Sequence, residues 1–439
     1  MSFLDVLFLF LGLLSGHSDV EGLDGAGWHD VWRPLNKNLD GGRIVNASNR
    51  TQGLGTENAF VVLKDVNTLL ENGRDVVNFC IGQPDFDTPK HIKQAAIEAI
   101  TAGKTGYTES AGILPLREAV ASYLSTTRGL SVTPEAVVVA AGAKPFIGYT
   151  ILCVTDFGAG HEVLYPNPGF PIYESQIVAH GAVPVPYMLR ERHAYRLDLE
   201  ELACKVTDRT RLLIVNSPHN PTGSVLRSDD VKAIAEVVAR YPDLWILSDE
   251  VYARMIHDGA FDSIAAIPDV RERTILMDSL SKTYAMTGWR IGFAANARLA
   301  TFLTRWVTNT ESCAGHPNQY AALAALTGPQ EPADRMMASF TQRRDLIVRE
   351  LNAIDGIQCL APGGAFYVWP NVTAACRRVG AKDSEDFRHR LLHDAGVAVL
   401  SDIHFGQKIP GEGEHIRIAY ATSEANIREG VRRIREYVT

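Results

Sequence analysis

A chain of 439 residues, 46% hydrophobic and 21% charged, has the length of a large α/β enzyme or of two to three domains, with ample apolar material for a core. Its 36 glycines and 21 prolines are near average usage, which excludes collagen-like and mainly disordered chains. The formal net charge of −8 argues against nucleic acid or an anionic membrane as the main partner, while leaving room for a local basic pocket.

The chain opens on a short apolar run, Phe3 to Leu14. A bilayer-spanning helix needs about 20 residues, and a secretory signal wants a basic start and a small-residue cleavage site. No Lys or Arg precedes Arg33, so residues 1–50 read as a loose N-terminal extension, with a targeting segment left open. Residues 17–55, rich in Gly, Asn and Asp, are expected to be irregular. The cysteines, Cys80, Cys153, Cys204, Cys313, Cys359 and Cys376, include no CxxC pair. Neither a zinc knuckle nor a disulfide framework is expected, which favours a reducing, cytoplasmic setting.

From Thr56 to Leu70 apolar residues recur at helical spacing (Phe60, Leu63, Val66, Leu70). From about Val76 short apolar runs alternate with amphipathic stretches. The runs include Val137–Val139, Glu162–Leu164, Leu212–Val215, Trp245–Leu247 and Thr274–Met277, and Ser228 to Arg240 is a helix between two of them. Apolar strands alternating with helices predict a mainly parallel sheet covered on both faces. After about residue 310 the pattern changes to a long helix over Phe340 to Leu351, a strand around Ala365 to Trp369, another helix, and Ile416–Ala419. The expected fold class is therefore α/β, with a large domain over 76–310 and a smaller α+β domain from 51–75 and 311–439.

Polar residues gather where the strands end. Gly142-Ala143-Lys144 follows the first run, Tyr165 to Phe170 the second, Asn216 to Gly223 the third, Ser248 to Tyr252 the fourth, and Asp278 to Lys282 the fifth. In open parallel sheets the ligand binds beyond the carboxyl ends of the strands, so these clusters are expected to face one pocket. A lysine beside small hydroxyl residues suits a Schiff-base nucleophile with a phosphate cradle. A carboxylate opposite a heteroaromatic nitrogen is the pairing that pyridoxal 5'-phosphate requires.

At this point the residues carry a resemblance. HNPTG at 219–223, SDEVYA at 248–253, SLSKTYAMTGWRIGF at 279–293 and RIAYATS at 417–423 resemble the fold-type I, class I pyridoxal-phosphate-dependent aminotransferases, of the aspartate-aminotransferase kind. GQPDFDTP at 82–89, GKTGYTESAGILPLREAV at 103–120 and GAK at 142–144 extend the match over roughly residues 50–439. The resemblance implies the family's seven-stranded sheet, a homodimer with sites at its interface, and amino acid and 2-oxo acid substrates.

Carried over residue by residue, Lys282 would bind the cofactor covalently and move the proton. Asp249 would face the pyridine nitrogen, although an Asp after a strand also suits a helix cap. Tyr252 and Asn220 would meet the phenolic oxygen. The phosphate would lie on the backbone of Ala143 and Lys144 with Ser279 and Arg290, joined by Tyr107 from the neighbouring subunit. Phe170 would stack on the ring or else be core, while Glu250 and His219 read as scaffold. Arg417 and the backbone at Gly82 would take the substrate α-carboxylate, with Asn220 also counted among the substrate-binding residues. The resemblance leaves side-chain selection open between Lys144, for a distal carboxylate, and His316. Transamination of an aspartate-like donor leads. A C–S or aminocyclopropane-carboxylate-type lyase on the same fold is the alternative, and a non-catalytic regulator is disfavoured because no basic winged-helix segment precedes the match.

Overall fold

The protein is described by a computed structural model covering residues 48–52, 54–55 and 58–439. The apolar run Phe3 to Leu14 and the rest of the extension before residue 48 lie outside the described residues. The chain divides into two compact units, Met1–Gly53 and Leu54–Thr439. In the first, where composition predicts an irregular arm, the described residues include one short helix, Asn49–Gln52, with Ser48 Oγ 3.0 Å from Thr51 Oγ1.

The second unit is built on a seven-stranded sheet among the described residues. Its strands are β1 (Val137–Ala140), β2 (Glu162–Asn167), β3 (Val183–Met188), β4 (Thr210–Asn216), β5 (Trp245–Asp249), β6 (Thr274–Ser279) and β7 (Gly292–Ala295), in the order β1-β7-β6-β5-β4-β2-β3. Neighbouring strands are parallel except that β7 runs against both β1 and β6. Strands β1, β4, β5 and β6 are buried along most or all of their length, as apolar strands with both faces covered must be. Ser228–Ala239 is helical, as expected.

Two strands lack a clear sequence pattern. Val183–Met188 carries Pro184 and Pro186, which cannot donate to a ladder, and the sheet accommodates them by placing this strand at its edge. Gly292–Ala295 is made of small residues around Phe293, which have little intrinsic strand preference.

Register then aligns the strand ends. Asn216 lies opposite Asp249, and Ser279 opposite Gly292. Because β7 is antiparallel, its start, just after Arg290, falls at the same edge as the ends of its neighbours.

The remaining elements pack as helices and short strands. Asn58–Glu71 forms the expected helix, with Val66 fully buried. The helix expected over Phe340 to Leu351 begins earlier, at Glu331, because Pro332 falls within its first turn, where a missing N–H costs nothing. The strand expected around Ala365 to Trp369 is only Tyr367–Val368. It joins Leu400–Ser401 and Ile416–Ala419 in an antiparallel three-stranded sheet with Ile416–Ala419 at its centre. Val77–Asn78 pairs with Val397–Ala398. Among the described residues no helix is long and apolar enough to cross a membrane.

Candidate active site

One cavity of about 580 Å³ opens at the carboxyl edge of the sheet. Ala143, Lys144 and Phe170 enter it from the loops after β1 and β2. Asn220, Asp249 and Tyr252 come from β4 and β5 and the segments that follow, and Ser279, Lys282 and Arg290 from around β6 and β7. Gly82 and Arg417 close it from outside the sheet. Of the residues singled out in sequence for direct contact, Tyr107 and His316 stand apart from the cavity, Tyr107 88% exposed at the surface.

Asp249 ends β5 and is buried. Its Oδ2 accepts from the Tyr173 hydroxyl at 2.5 Å and its Oδ1 from the Val251 N–H at 3.3 Å. Burial pushes its carboxyl up to about 6, with the neighbouring Glu250 adding to the rise and Tyr173, Val251 and Lys282 working against it. A buried carboxylate raised in this way is stabilised by any cation brought to it. Tyr252 lies close by with its phenol held well above its ordinary value by burial, hence protonated, and its oxygen 2.8 Å from that of Tyr367.

Around Arg290 the backbone is tightly fitted. Gly142 has φ +99°, and a Cβ there would fall 2.3 Å from Arg290 Nη2, while one on Gly292 would fall 2.2 Å from Ala143 N. Both positions require glycine so that the β1 loop, the Arg290 guanidinium and the start of β7 can meet. Arg290 Nη2 donates to Ala141 O at 3.2 Å. Ser279 caps the short helix that carries Lys282, its Oγ accepting from Ser281 N at 3.1 Å. Helix Lys144–Val154 starts at the same place. A helix N-terminus, serine hydroxyls and a guanidinium together suit a phosphate dianion.

On the other side, Lys282 Nζ donates to Gly82 O at 2.6 Å. Arg417 is buried, with Nη1 donating to Asn220 Oδ1 at 3.0 Å and Nη2 to Cys80 O at 2.5 Å, while its Nε has no partner. Its guanidinium lies over the rings of Tyr367 and Phe405, 4.5 and 4.8 Å from their centroids. Lys144 Nζ sits 5.6 Å from the Phe170 ring centre.

Several contributors carry no signal in the sequence reading. Tyr173 could have been found only as an aromatic three residues past Phe170. Tyr367 arrives from the antiparallel sheet, and His404 lines the cavity between Leu400 and Phe405. His404 Nε2 lies 3.4 Å from Glu385 Oε2, and burial holds the imidazole below its ordinary value. Arg128, an unremarkable cation at the end of helix Leu114–Arg128, is buried beneath the site. It donates to Glu250 Oε2 at 2.8 Å and to Asp278 Oδ2 at 2.9 Å. Glu250 thus turns away from its neighbour Asp249 into a structural network with Ser248 and Ser263. His219 is buried against Thr222. His316 does not line the cavity. Its Nδ1 is 3.1 Å from Gly106 O, beside Tyr107, and its ring stacks on Tyr320.

The donor set fits pyridoxal phosphate. Asp249 is buried and raised, as a carboxylate awaiting a ring cation would be. Ala143 and Arg290 are packed together around Gly142 and Gly292, where they would suit a phosphate, and Ser279 and Lys282 line the same cavity.

Comparison with known proteins agrees. Residues 74–434 match the family "Aminotransferase class I and II". An aspartate aminotransferase of Geobacillus stearothermophilus is 35% identical over 397 residues, covering 90% of this chain and 99% of that protein. An aspartate/prephenate aminotransferase of Cereibacter sphaeroides is 38% identical over 390 residues, covering 86% and 95%. Among solved structures, the aspartate aminotransferase of Rhizobium meliloti superimposes with a TM-score of 0.84 at 34% identity, covering 90% of this chain and 99% of that one. Relatives that are themselves aminotransferases do not favour the lyase alternative. Cavity chemistry, strand order and relatives thus converge, and the chain belongs to the class I and II aminotransferases as a pyridoxal-phosphate-dependent enzyme.

Proposed function

We propose that this aminotransferase takes its amino group from an acidic L-amino acid, aspartate first, and passes it to a 2-oxo acid such as 2-oxoglutarate in two successive half-reactions. The observation that carries this reading is the convergence of Lys282, Asp249 and Arg417 on one cavity. When bound, pyridoxal phosphate supplies the electron sink that makes the substrate Cα–H acidic.

The rest falls to the chain. Lys282 would hold the cofactor covalently and, once displaced by the donor amine, take the proton from the substrate Cα and deliver it to the cofactor's C4′ carbon. Asp249 would keep the ring nitrogen protonated. Tyr252 and Asn220 would face the phenolic oxygen, and Phe170 the ring. The N–H groups of Ala143 and Lys144, with Ser279 and Arg290, would hold the phosphate. The exposure of Tyr107 supports a homodimer in which it completes the neighbouring subunit's site.

Arg417, whose Nε has no partner, would clasp the substrate α-carboxylate beside the Gly82 backbone. Lys144, close to Phe170 and inside the cavity, supports recognition of a distal carboxylate, as do relatives that act on aspartate. A cytoplasmic location goes with this reading, supported by the cysteine spacing. So does a division into a large part, 76–310, and a smaller one from 51–75 and 311–439.

The test is the visible spectrum of the purified holoenzyme mixed with single amino acids and no oxo acid. Aspartate should bleach the yellow band at the lowest concentration. Bleaching by alanine or an aromatic amino acid at lower concentration would remove the acidic preference, and no bleaching by any amino acid would remove the half-reaction.

A further inference from the structure

Tyr367 stands where three parts of the site meet. Its side chain is buried, and its hydroxyl oxygen lies 2.8 Å from that of Tyr252. Its ring lies under the Arg417 guanidinium, 4.5 Å from centroid to carbon. The same hydroxyl occupies the space that a side chain at position 82 would need. A Cβ on Gly82 would fall 2.1 Å from Tyr367 Oη, 3.0 Å from Cζ and 3.2 Å from Cε1. Gly82 in turn presents the carbonyl that accepts from Lys282 Nζ at 2.6 Å.

A phenol carries one proton to donate and lone pairs to accept with. When Tyr367 is the donor in the pair, the Tyr252 proton is released to point at a third group. When the roles reverse, that proton is consumed inside the protein. Burial keeps the Tyr252 phenol protonated, so it has a proton to direct.

We propose that Tyr367 is a positioning residue for the reaction: its hydroxyl turns the Tyr252 proton toward the cofactor's phenolic oxygen and bars any side chain from position 82, which holds the Gly82 carbonyl against Lys282. The proposal rests on Tyr252 being a cofactor contact. It adds a residue that lines the cavity and couples its cofactor side to its carboxylate side through one oxygen atom.

Tyr367→Phe isolates that oxygen, since the ring under Arg417 is retained. The first readout is the pH midpoint of the visible band in the resting holoenzyme. Donation from Tyr252 to the phenolic oxygen lowers the proton affinity of the nitrogen through which Lys282 holds the cofactor, so losing it raises the midpoint. Tyr367→Phe should raise it by about half a pH unit, on the scale of one net hydrogen bond. Tyr252→Phe should raise it at least as far, and Tyr367→Phe should add nothing in the Tyr252→Phe background.

The second readout is the dissociation constant of maleate, a dicarboxylate that cannot react. Gly82→Ala should weaken maleate binding about tenfold in the wild-type background, through overpacking, and clearly less in the Tyr367→Phe background, where the closest atom is gone. An unmoved midpoint in Tyr367→Phe overturns the proposal, as does an equal Gly82→Ala loss in both backgrounds. If Tyr252→Phe also leaves the midpoint unmoved, the failure belongs to the reading of Tyr252. If Tyr252→Phe moves it and Tyr367→Phe does not, the failure belongs to Tyr367 alone.

Discussion

Tyr173 and Asp249 lie 76 residues apart in the chain and meet through a 2.5 Å hydrogen bond from the phenol to the carboxylate. The bond satisfies one carboxylate oxygen and favours the charged form, yet burial outweighs it and leaves the group at about 6 instead of its ordinary 3.8. In the protein without cofactor, the ionised Asp249 is therefore a destabilised group held ready for a cation.

The pH consequence has a definite sign. A carboxyl raised on folding binds its proton more tightly in the folded state, so its contribution to stability is full below about 4 and is lost as pH rises through about 6. Asp249→Asn removes this loss. Compared without cofactor by thermal melts from pH 4 to 7, the variant should gain on the wild type by up to about 3 kcal/mol while losing turnover when cofactor is added. A stability difference that stays flat with pH would falsify the assignment of a raised carboxyl to Asp249.

In the proposed function Lys282 would move a proton at the substrate Cα. Lys282→Ala should keep the melting profile of the wild type and still bind pyridoxal phosphate non-covalently, while kcat drops by at least about 10³-fold. Steady-state rates near wild type would remove Lys282 from that role.

Arg128 holds Glu250 and Asp278 in a buried network, and burial pushes the Asp278 carboxyl up to about 7 despite the nearby guanidinium. Arg128→Met leaves two buried acids without their cation. A loss of about 3–5 kcal/mol is expected in denaturant unfolding, with kcat per folded molecule at low temperature changed far less. A variant of unchanged stability would show that the network contributes little.

Tyr107 and Lys282 should complement each other between subunits. Mixing separately inactive Tyr107→Ala and Lys282→Ala proteins under conditions that exchange subunits should restore activity, since one site of each hybrid dimer regains both residues. No recovery despite demonstrated exchange would place Tyr107 outside the neighbouring site.

The sequence by itself determined the alternation of buried strands with helices and the polar residues at the strand ends. Burial and turn chemistry are written locally, in runs such as Leu212–Val215 followed by Asn216 to Gly223. Lys282, Asp249, Asn220, Arg290 and Arg417 were legible for the same reason, each sitting inside a contiguous motif. Strand β3 was obscure because its prolines are acceptable only at a sheet edge, and an edge is a property of the assembled sheet.

Tertiary structure alone decided which side chains support those residues. Arg417 reaches Asn220 across 197 positions, and Tyr252 reaches Tyr367 across 115. Nothing in the local pattern marks such partners, because a hydrogen bond depends on where two elements cross and not on the spacing along either. The same physics separated His404 from His316. The sequence singled out His316 and passed over His404, and only packing put His404 in the cavity and His316 against Gly106.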